Sequence, residues 1–211
     1  MGKMMTIPRP TIERLPLYLR CLTRLDENGV DVVSSEELGR MLGITSVQIR
    51  KDLAYFGEFG RRGVGYSVGD LIKQIMNILG VDRSNRMALV GAGHLGQALA
   101  RYEGFADHGF SMAAIFDSDP AKVGTEIAGQ KVLAADLITE VARGLGIKIG
   151  IITVPGAVAQ RVADQLIKAG VMGIWNFAPV RLEVPANVEV RQENLTVGLL
   201  ALSYFLAQQS R

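Results

Sequence analysis

Three groups of residues in this 211-residue chain have types and spacing that could do chemistry. The first is Leu89-Val90-Gly91-Ala92-Gly93-His94-Leu95-Gly96, a G-x-G-x-x-G pattern at the end of the apolar run Met87 to Val90. Each glycine in such a loop does something different. Gly91 permits the tight turn off a strand, Gly93 lets backbone approach a pyrophosphate, and Gly96 lets the next helix pack closely on the strand. Free N–H groups at that helix start, in the stretch holding Ala92, His94 and Leu95, face the phosphates where the helix dipole favours negative charge. A second apolar run, Met112 to Phe116, ends in Asp117, 21 positions after Gly96. A dinucleotide fold needs a carboxylate there for the adenosine ribose hydroxyls, and its charge repels a 2′-phosphate, which favours NAD over NADP. The plainer alternative has Asp117 merely opening the turn Asp117-Ser118-Asp119-Pro120.

The second group is basic. Between Thr45 and Tyr66 lie Arg50, Lys51, Arg61 and Arg62 against the acids Asp52 and Glu58, whereas the whole chain has a net charge of only +2. Ser34 and Glu37 match a capping box ahead of Leu38, Met41 and Leu42, and Gly43 closes that helix. Thr45 with Gln48 offers a second box, opening a helix through Val47, Ile49, Leu53 and Phe56. Two short helices joined by Gly43-Ile44 predict a helix-turn-helix, whose second helix enters a major groove. Ser46, Gln48, Arg50 and Lys51 occupy its first two turns, with Tyr55 further along; Gln pairs with adenine, and Arg with guanine or phosphate. Gly57 to Tyr66 predicts a β-hairpin wing carrying Arg61 and Arg62 toward phosphates or a narrow minor groove. The alternative is a small helical bundle with solvated charges.

The third group sits at predicted strand ends. Lys148 to Val154 and Gly173 to Phe177 are apolar runs followed by Pro155 and by Ala178-Pro179, with helices predicted at Asp136 to Arg143 and Val158 to Ala169. Strands alternating with helices predict a doubly wound parallel sheet, and ligands in such sheets lie beyond the carboxyl ends of the strands. Thr153, Val154, Pro155, Asn176, Phe177 and Ala178 are therefore candidates for the nicotinamide side of a pocket, or plain strand-end turns.

The remaining elements frame these groups. Residues 1–10 read as an arm. A helix follows from Thr11 through Ile12, Leu15, Leu19, Leu22 and Leu25 to Asn28-Gly29, unless Pro16 marks its true start. Another runs from Ser67 or Val68 to Gly80, and 82–85 is polar enough for a linker. After the glycine loop a helix is expected over Gln97 to Tyr102, and 125–133 is a short strand-like connection. Leu195 to Ala207 has no charge in 13 residues, is too short to span a bilayer and must be buried on nearly every side. A partner subunit is the simplest cover, through a symmetric dimer or an exchange of terminal helices. The expected organisation is α/β: a winged helix-turn-helix domain over 1–81, a Rossmann domain over 86–192 and a terminal helix over 193–211.

Composition excludes several classes. No apolar run reaches the roughly 18 to 20 residues of a membrane span, and no signal-peptide pattern opens the chain, so a cytoplasmic protein is expected. Cys21 is the single cysteine, and the two histidines, His94 and His108, lack metal-ligand spacing. A dehydrogenase is disfavoured because no length remains for a substrate domain and no acid/base candidate stands out. A coenzyme A-binding or corepressor module without DNA contact is the third reading.

With these residues in place, the chain closely resembles the Rex family of redox-sensing transcriptional repressors. The resemblance rests on Gln48 to Gly60, Arg62 to Tyr66, Gly91 to Gly96, Tyr102-Glu103-Gly104-Phe105, Phe116 to Pro120 and Gly173 to Pro179. It implies a winged-helix and Rossmann homodimer that holds a pseudo-palindromic operator when NADH is scarce and releases it when NADH binds, sensing the NADH/NAD⁺ ratio without catalysis or metal. It implies terminal helices exchanged between subunits and operator-reading basics at Arg50 and Lys51. It also implies a tyrosine near the nicotinamide at Tyr102, and an arginine coupling the first helix to the other subunit at Arg20. Where some members have an aspartate partner for that arginine, this chain has Asn194, with Glu193 beside it.

Overall fold

Leu15, Leu19 and Leu22 line one face of the first helix, α1 (Arg9–Glu27), together with Thr11, Tyr18 and Cys21. The computed structural model describes residues 7–60 and 63–209, and the chain divides into two units, Met1–Arg83 and Ser84–Arg211. The boundary falls inside the polar stretch expected as a linker, and strand structure already starts at Asn85. Helix α1 begins inside the expected arm, with Pro10 in its first turn where no amide hydrogen bond is lost, and it runs through Pro16 rather than starting there.

In the first unit, α2 (Ser35–Leu42) carries the complete capping box: the Glu37 amide donates to Ser34 Oγ at 3.1 Å and the Ser34 amide donates to Glu37 Oε2 at 2.8 Å. The α3 helix (Ser46–Ala54) has only half of its box, because Thr45 Oγ1 accepts from the Gln48 amide while the Gln48 side chain turns the other way. A Cβ on Gly39 would stand 2.5 Å from the Ile44 carbonyl oxygen, so the close α2–α3 turn requires glycine there. The expected hairpin over Gly57 to Tyr66 is not formed by the described residues. Instead β1 (Val32–Val33) pairs antiparallel with β2 (Tyr66–Ser67). Among the described residues of 57–66, Gly57, Gly63 and Gly65 have left-handed backbone, which interrupts strand pairing at those positions. The next helix, α4 (Val68–Leu79), packs along α1 around a core of Leu15, Leu22, Val33, Leu38, Ile49 and Ile75.

The second unit is a seven-stranded sheet in the order β5-β6-β4-β3-β7-β8-β9. Its strands are β3 (Asn85–Val90), β4 (Phe110–Asp117), β5 (Glu126–Ile127), β6 (Gln130–Ala134), β7 (Ile149–Ile152), β8 (Gly173–Asn176) and β9 (Glu189–Gln192), all parallel except β5 against β6. The chain builds outward from β3 in both directions, so its reversal of strand order lies between β3 and β7, where open sheets bind ligands. Alternate residues feed two cores: Ala88, Val90, Phe116 and Ile152 on one face, and Met87, Leu89, Ile115 and Ile151 on the other. The helices are α5 (His94–Ala100), α6 (Ile138–Gly144), α7 (Gly156–Lys168) and α8 (Leu195–Gln209), with short 3-10 turns at Glu103–His108 and Ala135–Leu137.

Three readings change here. Helix α5 starts at His94, ahead of the expected Gln97, and Tyr102 lies beyond its end. The 125–133 connection is a hairpin, turned by left-handed Ala128 and Gly129, whose second strand joins the main sheet. Edge strand β9 was not anticipated; its burial is slight, so it lacks an apolar signature. Among the described residues no helix is long and apolar enough to cross a membrane.

Candidate functional site

Strand β3 ends in the glycine loop, and the three glycines differ in what surrounds them. Gly91 turns with φ +106°, its amide donating to the Phe116 carbonyl at 2.8 Å while its own carbonyl accepts from Thr153 Oγ1 at 2.8 Å. A Cβ on Gly96 would lie 1.9 Å from the Gly91 carbonyl oxygen, so α5 closes onto the loop only because that atom is missing. Around Gly93 a Cβ would meet nothing within 4 Å, which leaves bare backbone at the mouth of a cavity of about 740 Å³. Gly91, Asp117, Thr153, Val154 and Pro155 also line that cavity, joined by Lys122 and Arg161.

Asp117 braces the loop from the end of β4. Its Oδ2 accepts from the Ala92 amide at 2.7 Å and from Lys122 Nζ at 3.1 Å, and its Oδ1 accepts from the Asp119 amide at 2.8 Å. Burial pushes this carboxyl upward, but the Asp119 amide, Lys122 and the Ala92 amide outweigh it and hold it below the ordinary aspartate range. The anion is thus built in. Lys122 is a cavity residue that the glycine pattern did not flag, although a lysine five positions beyond the strand-end acid was the available signal.

The remaining candidates of this unit divide. Ala92 is buried in the loop and Gly96 in α5, where His94 and Leu95 are exposed. Asn176 and Ala178 are buried and offer no free surface to a ligand. Asn176 Nδ2 donates to the Val180 carbonyl at 2.9 Å and to Gln192 Oε1 at 2.7 Å, and its Oδ1 accepts from the Ala178 amide at 3.0 Å. The amide thus braces a strand end, where buried polar groups must find partners. Tyr102 lies over Gly104 and meets Phe105 edge-on at 5.0 Å, continuing through Trp175 to Phe177 as an aromatic row apart from the cavity.

In the first unit, the outward stripe of α3 is Val47, Arg50, Lys51 and Ala54, all exposed, while Ser46, Gln48 and Tyr55 are half-buried. Val47, one of the apolar residues through which this helix was expected to run, is 65% exposed. Arg50 Nη1 donates to Ser35 Oγ at 2.7 Å and to Glu36 Oε1 at 2.9 Å, and the Arg50 bond is the main cause holding the Glu36 carboxyl below its usual range. Arg61 and Arg62 lie outside the described residues.

Sequence reasoning missed Asp52, which counted only as one acid among the basics. It is fully buried and accepts from four side chains: Thr11 at 3.0 Å, Arg14 at 2.6 and 2.7 Å, Tyr18 at 2.6 Å and Gln48 at 2.8 Å. Burial pushes this carboxyl up, but Arg14 first, then Tyr18, Gln48 and Thr11, bring it down to about 2. Burial and the neighbouring Asp52 raise the Tyr18 phenol, which stays protonated as a donor. The signal was present in α1, where Thr11, Arg14 and Tyr18 share the face of Leu15 and Leu22.

Arg20 is exposed on α1. Asn194 Oδ1 accepts from the Thr196 amide at 3.0 Å and from the Thr196 hydroxyl at 2.6 Å, at the start of α8, while Glu193 Oε1 accepts from Trp175 Nε1 at 3.2 Å and Arg191 Nε at 3.1 Å. Along α8, Leu195, Leu199, Leu200, Tyr204 and Phe205 each remain more than 60% exposed. Among the described residues no group of three or more His, Cys, Asp or Glu could hold a metal.

Known proteins share both halves of this arrangement. The family described as "Putative DNA-binding protein N-terminus" matches residues 6–54, and that described as "CoA binding domain" matches residues 82–180. A redox-sensing transcriptional repressor Rex of Desulfitobacterium hafniense is 49% identical over 202 residues, covering 96% of each chain. That of Carboxydothermus hydrogenoformans is 50% identical over 198 residues, covering 94% of this chain and 95% of its own. The crystal structure of RSP in complex with β-NAD⁺ and operator DNA superimposes with a TM-score of 0.93 at 38% identity, over 98% of this chain and 95% of that one. RSP in complex with β-NADH gives 0.89 at 37% identity, over 98% and 97%.

Proposed function

This chain belongs to the Rex family of redox-sensing transcriptional repressors, and from that premise we propose how its own residues sense the nucleotide and hold DNA. It is a regulator and not an enzyme. As a homodimer in the cytoplasm it holds a pseudo-palindromic operator through two copies of α3, and it releases the duplex when NADH enters the glycine-loop cleft.

The residues of the cleft fit a dinucleotide. Gly93 presents bare backbone where a side chain would intrude on a pyrophosphate, and the start of α5 directs amides toward the same place. A carboxylate has about four acceptor positions, and the three contacts to Asp117 leave one on Oδ1 for a ribose hydroxyl. Thr153, Val154 and Pro155 form the wall at the switch point, on the nicotinamide side. The reduced nicotinamide is neutral and the oxidised one cationic, so an apolar wall favours the reduced form through desolvation.

Release requires two dimer states that space the reading helices differently, one of them matching half-sites about one helical turn apart. Preferential binding of NADH to the other state supplies the shift, which is limited by its differential affinity. The exposed apolar surface of α8 supports a partner subunit as its cover, with the terminal helices exchanged. Arg20 couples α1 to that partner. Asn194 is already committed to capping α8 and Glu193 to Trp175, so the partner's group for Arg20 is an uncharged amide or a shared carboxylate.

One observation carries this reading: a helix with Arg50 and Lys51 facing outward and a cleft with a bare glycine stand in separate units of one chain. The test is fluorescence anisotropy of a labelled palindromic duplex with the full-length protein, titrated with NADH, NAD⁺ or coenzyme A. Release by NADH alone is expected. Release by coenzyme A, or indifference to NADH, overturns the assignment.

A further inference from the structure

Resting on the operator-binding reading above, we propose that Val47 is a specificity-determining residue that packs on the C5-methyl group of a thymine in each half-site. Val47 is the second residue of α3, in the part of a reading helix that reaches base edges. It is 65% exposed and shares the outward stripe with Arg50, Lys51 and Ala54. Nothing in the fold calls for valine there. The side chain contributes nothing to the domain core, a β-branched residue is a poor choice for a helix, and the first turn favours polar or acidic residues.

The neighbours strengthen the assignment. Two polar side chains of the first turns are occupied within the protein: Arg50 with Ser35 and Glu36, and Gln48 with Asp52. Lys51 makes no ion pair or side-chain hydrogen bond among the described residues and flanks Val47 one turn on, suited to a phosphate. An apolar side chain beside two cations on a groove-entering helix matches one chemical feature of the major groove, the methyl that distinguishes thymine from every other base.

The experiment begins by selecting a duplex from a random library with the full-length protein. Each thymine of the selected half-site is then replaced by deoxyuridine, which removes only the methyl. At one position per half-site the wild type should lose about fourfold in affinity, and about fifteenfold when both half-sites are changed, the effect of one buried methyl per site. Val47→Ser should bind the thymine duplex more weakly and be indifferent to deoxyuridine at that position, while Val47→Thr, which keeps one methyl, should retain part of the discrimination. Guanidinium unfolding with the wild-type midpoint shows that the variants are folded in the unit that carries Val47. If every deoxyuridine is silent for the wild type, or Val47→Ser keeps the same sensitivity, the inference falls and the repressor reading stands. If the wild type selects no sequence at all, the repressor reading falls and takes this inference with it.

Discussion

Asp52 and Gly96 are both buried, and they mark how differently the two units make a surface for binding. Around Asp52, side chains of α1 and α3 converge on one carboxylate, so α3 is held by polar groups satisfying one another. At Gly96 there is no side chain at all, and the loop closes because an atom is missing. A surface that reads bases needs donors and acceptors in defined orientations; one that cradles phosphates needs backbone within reach. The first is therefore sensitive to removing a charge, and the second to adding a methyl.

The comparison can be broken most forcefully at Asp52. Asp52→Ala leaves Arg14 without its partner, and the expected loss is about 3–5 kcal/mol of stability, since breaking a buried pair strands a charge. Guanidinium unfolding of the full-length protein measures it; a loss below about 1 kcal/mol would place the node with ordinary surface pairs. The same carboxylate sets a pH dependence. Its folded value of about 2 lies below the ordinary 3.8, so its contribution is fully present above about pH 4 and is lost as pH falls through 2. That contribution is about 2 kcal/mol. The difference in stability between wild type and Asp52→Asn should shrink over that window, and a difference that is flat from pH 5 to about 2 contradicts the assignment.

On the other side of the comparison, Gly96→Ala must displace the Gly91 carbonyl, at a cost of about 1–3 kcal/mol or more, and should lower both stability and NADH affinity. Gly93→Ala should leave the melting temperature unchanged yet weaken NADH roughly tenfold or more, because only a ligand approaches that backbone. Calorimetric titration separates the two, and equal melting shifts for both variants would erase the distinction between them. Arg50→Ala should cost roughly 1–3 kcal/mol of operator affinity and leave NADH binding intact. The smallest effect is expected at Glu36→Gln. Freeing Arg50 and removing a negative charge near the duplex should tighten operator binding within about fivefold, more at low salt than at high. Weaker binding would mean that Glu36 positions Arg50 rather than competes for it.

Much of this is legible in the chain because it is local. The Ser34–Glu37 box, the Thr45 cap and the glycine loop each depend on neighbours within a few residues, and Met87 to Val90 announces a buried strand by composition alone. The departures have a common physical origin. Val47 is apolar like Ile49 and Leu53, and residue type alone does not separate them; the α3 face that packs inward is the one through Ile49 and Leu53. Glycines and aromatics over 57–66 predict a hairpin, but strand β2 finds its partner at Val32-Val33, more than thirty residues away in sequence. Asn176 stands at a strand end, as a ligand-facing residue would, yet Val180 and Gln192 are brought against it and occupy its amide.

By itself the sequence determined the main helices and buried strands, the separation into a DNA-binding half and a Rossmann-like half, and the glycine loop after β3, since periodicity, capping and glycine spacing act over short distances. Only the tertiary structure decided that Asp52 ties α3 to α1, that Asp117 is an anion already braced by Ala92, Asp119 and Lys122, and that Val47 faces outward. The reason is that burial and hydrogen-bond satisfaction are properties of what the rest of the chain brings alongside a residue, and no short window of sequence contains that.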